Sequence, residues 1–234
     1  MAVVSLIPTL LLFLGGCDGA LVGGPECPEG MVLIPAGTAV VGTDERGPAH
    51  YVPKRLVEHG AYCIDRYEYP NQEGERPATE YSWDRANDAC RGIRKRLCTS
   101  IEWGRACRGV EGRKYVYGNQ RDPLACNTPI QGSGPGKGKA PVAVSGAFPR
   151  CVTPEGVYDM GGNLSEWVSD PWTGRPEPFN KDAVVDPATW RSIRGGTMWF
   201  STFYGQECMS VHGHHKTNFK NVDCLLYTSP SPRD

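Results

Sequence analysis

The chain has 234 residues with 25 basic and 26 acidic side chains, and a net charge of −1 leaves no electrostatic basis for binding nucleic acid. Its 29 glycines and 20 prolines form about a fifth of the sequence against roughly 12% in average usage, which argues against a helical bundle and for a loop-rich fold. With 39% hydrophobic residues and 6 tryptophans the chain can still bury a core, so global disorder is excluded and one domain is expected.

Val3 to Leu14 is almost wholly apolar, too short for a membrane helix of about 20 residues and suited to a signal-peptide core. Leu14-Gly15-Gly16-Cys17 is similar to a bacterial lipobox, so residues 1–17 are expected to form an export signal with Cys17 as the lipidated residue. The alternative is an ordinary cleaved signal in which Cys17 is a passenger. Either way the chain is expected to be exported, with the bacterial cell envelope as its location and the membrane reached through the lipid. Residues 18–24 read as a tether, 25–223 as the folded domain, and Cys224 to Asp234 as a translated sequencing adapter.

Within the body, Met31 to Gly42 reads as two β-branched runs broken by Pro35-Ala36-Gly37, a hairpin signal. Residues 43–60 are charged and Pro-containing and read as loop; Ala61 to Tyr69 reads as a strand. Ser82 starts a helix with Trp83, Ala86, Ala89 and Cys90 at helical spacing. Thr99-Ser-Ile-Glu102 is a capping box that opens a second helix, stopped by Gly109. Between them Arg91 to Arg96 reads as a solvated helix end. Glu111 to Pro154 is mostly loop, followed by Val157 to Asp170, Arg191 to Phe200 and a last strand near Cys208 to Val211. Two modest helices among short strands and long loops make an α+β domain.

Setting aside Cys17 and Cys224 leaves Cys27, Cys63, Cys90, Cys98, Cys107, Cys126, Cys151 and Cys208. In an exported chain these are expected in disulfides, and even parity is compatible with four, though roughly a hundred pairings are open. No Cys-x-x-Cys spacing supports a zinc ribbon or a thioredoxin-type centre.

Six segments, in register, resemble the sulfatase-modifying-factor family, that of the formylglycine-generating enzyme. They are Met31-Val-Leu-Ile-Pro-Ala-Gly37, Tyr67-Glu-Tyr-Pro-Asn71, Ser82-Trp83 with Ala86, Leu97 to Gly109, Tyr158-Asp-Met-Gly-Gly-Asn-Leu-Ser-Glu-Trp167 and Arg194-Gly-Gly-Thr-Met-Trp199. The resemblance implies a C-type-lectin-like, loop-rich α+β fold supported by disulfides, whose terminal Gly-Phe-Arg would fall just after Asp223. It also implies a calcium ion on the 159–166 turn, held by the carboxylates of Asp159 and Glu166 and the carbonyls of Gly162 and Leu164. Calcium takes six to eight hard oxygens at about 2.3–2.6 Å, and Gly161-Gly162 lets carbonyls turn inward. The competing reading is that Asn163 and Glu166 only hydrogen-bond the turn while Trp167 fills the core. A second calcium site near Asn127 lacks its downstream acidic residue.

In the family's enzyme two cysteines after the Arg-Gly-Gly motif bind copper(I) for oxygen activation. Here Phe200 and about Gly205 stand at those positions, and soft thiolates are what copper(I) selects. No catalytic residue is therefore assigned, and copper and iron are not expected as cofactors. Cys208 is expected to be bridged. The remaining cluster is Val211-His-Gly-His-His215, where His212 and His214 would share one face of a strand and could hold a transition metal with Glu207 or His59 as third ligand. The family's iron-dependent sulfoxide synthases take their ligands largely from a helical domain this chain lacks, which favours turn and surface roles for these histidines. The expected function is a non-catalytic binding or accessory module whose partner is an envelope protein or glycan; the alternative is a metal-dependent oxidase.

Overall fold

The computed structural model describes residues 26–43, 53–128, 141–173, 185–196, 206–216 and 222–223. Cys17, Phe200, Gly205 and the 224–234 tail lie outside them. Strand β1 (Met31–Ile34) pairs antiparallel with β4 (Tyr62–Asp65), and β2 (Gly37–Val41) with β3 (Arg55–His59). A four-stranded sheet runs β7 (His212–His215), β6 (Trp190–Arg194), β5 (Ser165–Pro171), β8 (Val222–Asp223), antiparallel except for the β5–β8 pair.

Three expectations are corrected. Pro35-Ala36-Gly37 does not close a hairpin, because β1 and β2 take different partners. The physical reason is burial: β1 is largely buried and pairs with the wholly buried β4, whereas β2 is half-exposed and pairs with the exposed β3. Strand β3 itself lies within the 43–60 stretch read as loop; its exposed Arg55, Leu56 and Glu58 hide the pairing that Gly37–Val41 supplies. The strand expected near Cys208 to Val211 begins instead at His212, as β7, since Gln206 to Ser210 turn, with Ser210 N–H bonded to Glu207 O at 2.8 Å.

The helices lie where the caps place them. Helix α1 (Trp83–Gly92) starts on Ser82, whose side chain accepts from Arg85 N–H. Helix α2 (Ser100–Arg108) carries the full capping box: Thr99 Oγ1 accepts from Glu102 N–H at 3.2 Å, and Glu102 Oε2 accepts from Thr99 N–H at 2.8 Å. Trp103, Ala106 and Cys107 of α2 pack with Val32, Ile34, Ile64, Met160 and Val168 in the main core, while α1 sets Ala86 and Cys90 against Leu97, Trp167 and Ile193. The basic run after α1 is not simply solvated. Lys95 Nζ lies 2.5 Å from the buried Asp65, and Arg96 grips Glu102 through two bonds of 2.6 and 2.8 Å. Asn71 Nδ2 donates to the same Asp65 Oδ1 at 3.1 Å, so the buried carboxylate is compensated by one cation and one amide.

Disulfides Cys27–Cys63, Cys107–Cys208 and Cys126–Cys151 tie the loops, the second across 101 residues. Cys90 and Cys98 remain buried thiols, so the bridges number three among the described residues rather than four. No described helix is long and apolar enough to cross a membrane.

Candidate functional site

The turn from Asp159 to Glu166 is held by backbone conformations that few residues adopt. Asp159, Gly162 and Asn163 all have positive φ, at 60°, 91° and 54°. At Gly162 a Cβ would stand 2.5 Å from the Asn127 carbonyl, so only glycine fits. That approach lets Gly162 N–H reach Gly195 O at 2.7 Å and Asn163 N–H reach Asn127 O at 2.8 Å. The Asn163 side chain is consumed entirely by the protein. Its Oδ1 accepts from Asn127 Nδ2 and Ala143 N–H, and its Nδ2 donates to Glu68 Oε2 at 2.7 Å. Trp167 is fully buried and donates to Tyr81 O at 2.9 Å. For Asn163 and Trp167, then, hydrogen bonding of the turn and core packing describe what is seen.

The four calcium candidates divide. Glu166, fully buried, accepts from Trp103 Nε1 through Oε2, while Oε1 and the Leu164 carbonyl oxygen both face Gly195. A Cβ built on Gly195 (φ 86°) would meet them at 3.3 and 3.4 Å, so its absence keeps a small oxygen-lined recess open. That side of the turn suits a hard cation. Asp159 instead turns Oδ2 to Gly146 N–H at 2.7 Å, and burial pushes its carboxyl up to about 6 despite that bond. The Gly162 N–H is bonded to Gly195 O, which leaves the candidate ligand there, its carbonyl, unaffected. Asn127, near which the family's second calcium site would fall, donates to Pro141 O and Asn163 Oδ1.

Immediately beyond, Arg194 is almost wholly buried and donates to Ser100 Oγ and O and to the carbonyls of Cys208, Met209 and Ser210. Burial lowers its guanidinium to about 10. The motif reading gave Arg194 no role; no local signal in the sequence points to acceptors so far along the chain. Among the described residues Cys208 is oxidised to a disulfide, and the Cys98 thiol is pushed well above its ordinary range by complete burial, so neither offers a thiolate.

The histidines do lie on a strand. On β7, His212 stands opposite Ile193, His214 opposite Arg191 and His215 opposite Trp190. The side chain of His214 lies outside the described residues. The proposed third ligands are engaged elsewhere: Glu207 is 3.4 Å from Lys114 Nζ, and His59 Nδ1 is 2.9 Å from Gly60 O with its ring edge-on to Tyr62. Among the described residues, no three His, Cys, Asp or Glu side chains gather to hold a metal.

A loop-rich α+β domain, closed by disulfides and organised around a Gly-Gly-Asn turn packed on an Arg-Gly-Gly segment, defines the class. The chain belongs to the sulfatase-modifying factor enzyme 1-like domain family, whose pattern matches residues 69–222. It is 31% identical to the inactive C-alpha-formylglycine-generating enzyme 2 of Bos taurus over 53% of this chain and 41% of that one. With the formylglycine-generating enzyme of Mycobacterium tuberculosis it shares 27% identity over 73% of this chain and 61% of that one. The chain thus spans about four to six tenths of these relatives. Among solved structures CarF superposes with a TM-score of 0.60 at 17% identity, covering 88% of this chain and 99% of that one. Treponema denticola variable protein 1 superposes at 0.62 with 16% identity, covering 86% and 95%. These two show the fold.

Proposed function

We propose that this chain is a non-catalytic member of its family, exported and lipid-anchored through Cys17 in the bacterial envelope, where it binds a protein or glycan. The observation that carries this reading is the fate of sulfur. Phe200 and about Gly205 stand at the copper-ligand positions, and the nearest thiol in sequence, Cys208, is bridged to Cys107. Copper(I) requires soft ligands that ionise, and the Cys90 and Cys98 thiols are buried in the core. Similarity to inactive formylglycine-generating enzymes supports the same direction. The test is oxygen consumption and formylglycine formation on a Cys-x-Pro-x-Arg peptide by the copper-loaded protein. No turnover is expected; turnover above the copper-only control overturns the reading. Export and anchoring are tested separately, since Cys17→Ser should abolish lipid labelling.

A competing oxidase reading draws on the alternation of His212 and His214 along β7. Stoichiometric copper or iron, lost in the His212→Ala/His214→Ala variant, would establish it. Calcium is proposed as a structural ion of the 159–166 turn, with Glu166 Oε1 and the Leu164 carbonyl as its anchor and Asp159 and Gly162 completing the set. A ligand bound only to the native state stabilises by mass action, so calcium should raise the melting temperature and Glu166→Gln should remove that response. No response of the parent protein to calcium or to EDTA removes the ion from the proposal.

A further inference from the structure

The segments 113–125 and 149–154, read from the sequence as undifferentiated loop, line an open cleft of about 920 Å³. That lies in the range of about 300–1,000 Å³ typical of ligand sites, and it is far larger than a bound ion requires. The walls are fixed. Cys126–Cys151 bolts the two segments together at one end, and Arg150 is ion-paired across the gap with Asp122. A tight turn with reciprocal Tyr115–Gly118 bonds of 2.8 and 3.1 Å stacks Tyr115 and Tyr117 in parallel, 5.5 Å apart, so Tyr117 presents a rigid aromatic wall. Its hydroxyl accepts from Asp122 N–H at 3.2 Å, locking the ring.

The lining is cationic. Arg113, Arg121 and Arg150 line it, against a single carboxylate, Asp122, among the lining residues described. Arg113 touches Glu111 through Nε at 3.0 Å, and Arg150 touches Asp122 through one Nη. Both pairs are partly solvated: Arg113 and Glu111 are 26% and 66% exposed at the side chain, Arg150 and Asp122 59% and 35%. Exposed pairs contribute about 0–1 kcal/mol, so an incoming anion can compete for these forks, which match carboxylate and sulfate in geometry. Gln120 adds an amide donor and acceptor for hydroxyls, Asn119 adds its amide donors while its Oδ1 accepts from Lys114 N–H, and Pro123, Pro149 and Pro154 form apolar rims.

We infer that this cleft binds an anionic saccharide, with Arg113, Arg121 and Arg150 taking its carboxylate or sulfate groups and the Tyr117 ring packing on a sugar face. An extended acidic peptide is disfavoured by the same geometry. Such peptides gain main-chain bonds from an open strand edge, and none of the strands β1 to β8 borders the cleft. None of the lining residues belongs to the 159–166 turn, the Arg194–Gly196 segment or β7, so saccharide binding is independent of whether the chain oxidises a substrate.

The experiment is calorimetric titration of the full chain with pentagalacturonate, a heparin-derived hexasaccharide, neutral maltopentaose and hexaglutamate. At least one acidic saccharide should bind about tenfold or more tightly than maltopentaose, with affinity falling as salt rises. The uronate and sulfate arms identify which anion the arginines take. Arg113→Gln/Arg150→Gln should lose about tenfold or more in affinity with the melting temperature unchanged. If that variant fails to fold, the more exposed Arg150→Gln alone supplies the measurement. Acidic saccharides binding no better than maltopentaose, or a folded variant that keeps its affinity, overturns the inference. So does hexaglutamate binding as tightly as the saccharide and displacing it.

Discussion

The helical corner from Ser82 to Gly109 and the region from Asp159 to Gly196 both satisfy many polar groups, but over opposite ranges. In the corner, Thr99 and Glu102 bond three residues apart, and Arg96 reaches Glu102 six apart, at a partly solvated surface. In the turn region Asn163 reaches Glu68 across 95 residues and Glu166 takes Trp103 across 63, both buried, and the buried Arg194 reaches the partly buried Ser100 across 94. Water can replace a lost partner in the first region and not in the second. Long-range polar bonds should therefore carry the larger energetic consequences, and the family's motifs mark where they converge.

Arg194→Leu is the severest way to break that comparison. It strips the donors from the carbonyls of buried Cys208 and Ser210 and from partly buried Ser100 and Met209. A loss of about 3–5 kcal/mol in urea unfolding is expected, the size seen when a buried charge constellation loses its centre. A loss below about 1 kcal/mol would mean water enters as readily here as at a helix cap. Asn163→Ala follows, at about 2–4 kcal/mol, because Glu68 Oε2 and Asn127 Nδ2 each lose a buried partner worth about 1–3 kcal/mol. Full recovery of stability in Asn163→Ala on adding a hydrophobic repacking change at Glu68 would show that only pairing, not the turn's left-handed backbone, is at stake.

Asp65 bridges the two regimes: it is buried on β4, yet its cation, Lys95, comes from the helical corner, between α1 and α2. Burial raises its carboxyl from 3.8 to about 6, more than the Lys95 hydrogen bond draws it down. The native state then holds a proton between about pH 4 and 6 that the unfolded chain has released. Stability should fall as pH rises through that window and level off above it, by on the order of 1–3 kcal/mol. Asp65→Asn should flatten the slope, leaving the part that Asp159, shifted in the same direction, contributes. An unchanged slope in Asp65→Asn places the titration elsewhere.

The same contrast explains what was legible. Ser82, Thr99, Glu102 and Gly109 announce α1 and α2 because capping chemistry is complete within four residues. The 159–166 turn was legible only through its family motif, because Gly162 and Asn163 bond to Gly195, Asn127 and Glu68 far along the chain. Strand β3 was invisible because Arg55–His59 owes its conformation to Gly37–Val41, and its own side chains mostly face water. Pro35-Ala36-Gly37 misled because a turn signal says that the chain bends, not which strand each arm will join. Within the candidate site, residue types identified Asp159 and Glu166 equally well, but only the tertiary packing shows that Glu166 shares a recess with the Leu164 carbonyl while Asp159 turns to Gly146. The charged cleft had no signature at all, since its arginines are scattered from 113 to 150 and brought together by Cys126–Cys151.

The smallest effect sharpens the comparison from the local side. Thr99→Ala removes the acceptor for Glu102 N–H and should cost about 1 kcal/mol, whereas Thr99→Ser, which keeps the hydroxyl, should cost almost nothing. The Glu102 carboxyl, held below its ordinary range by Arg96 and by Thr99 N–H against the opposing effect of burial, keeps half of the box in either variant. Arg96→Ala should cost less still, under about 1 kcal/mol, because its partner remains bonded to Thr99 and the pair is exposed. Combining Thr99→Ala with Arg194→Leu tests whether the two regimes are separate, through the one residue they share. Ser100 opens α2 beside the cap and also accepts from Arg194, so strict additivity means the cap and the buried guanidinium stabilise different parts of the fold. A double variant losing less than the sum would show that the cap is held in place by Arg194, making the local region an outpost of the long-range one.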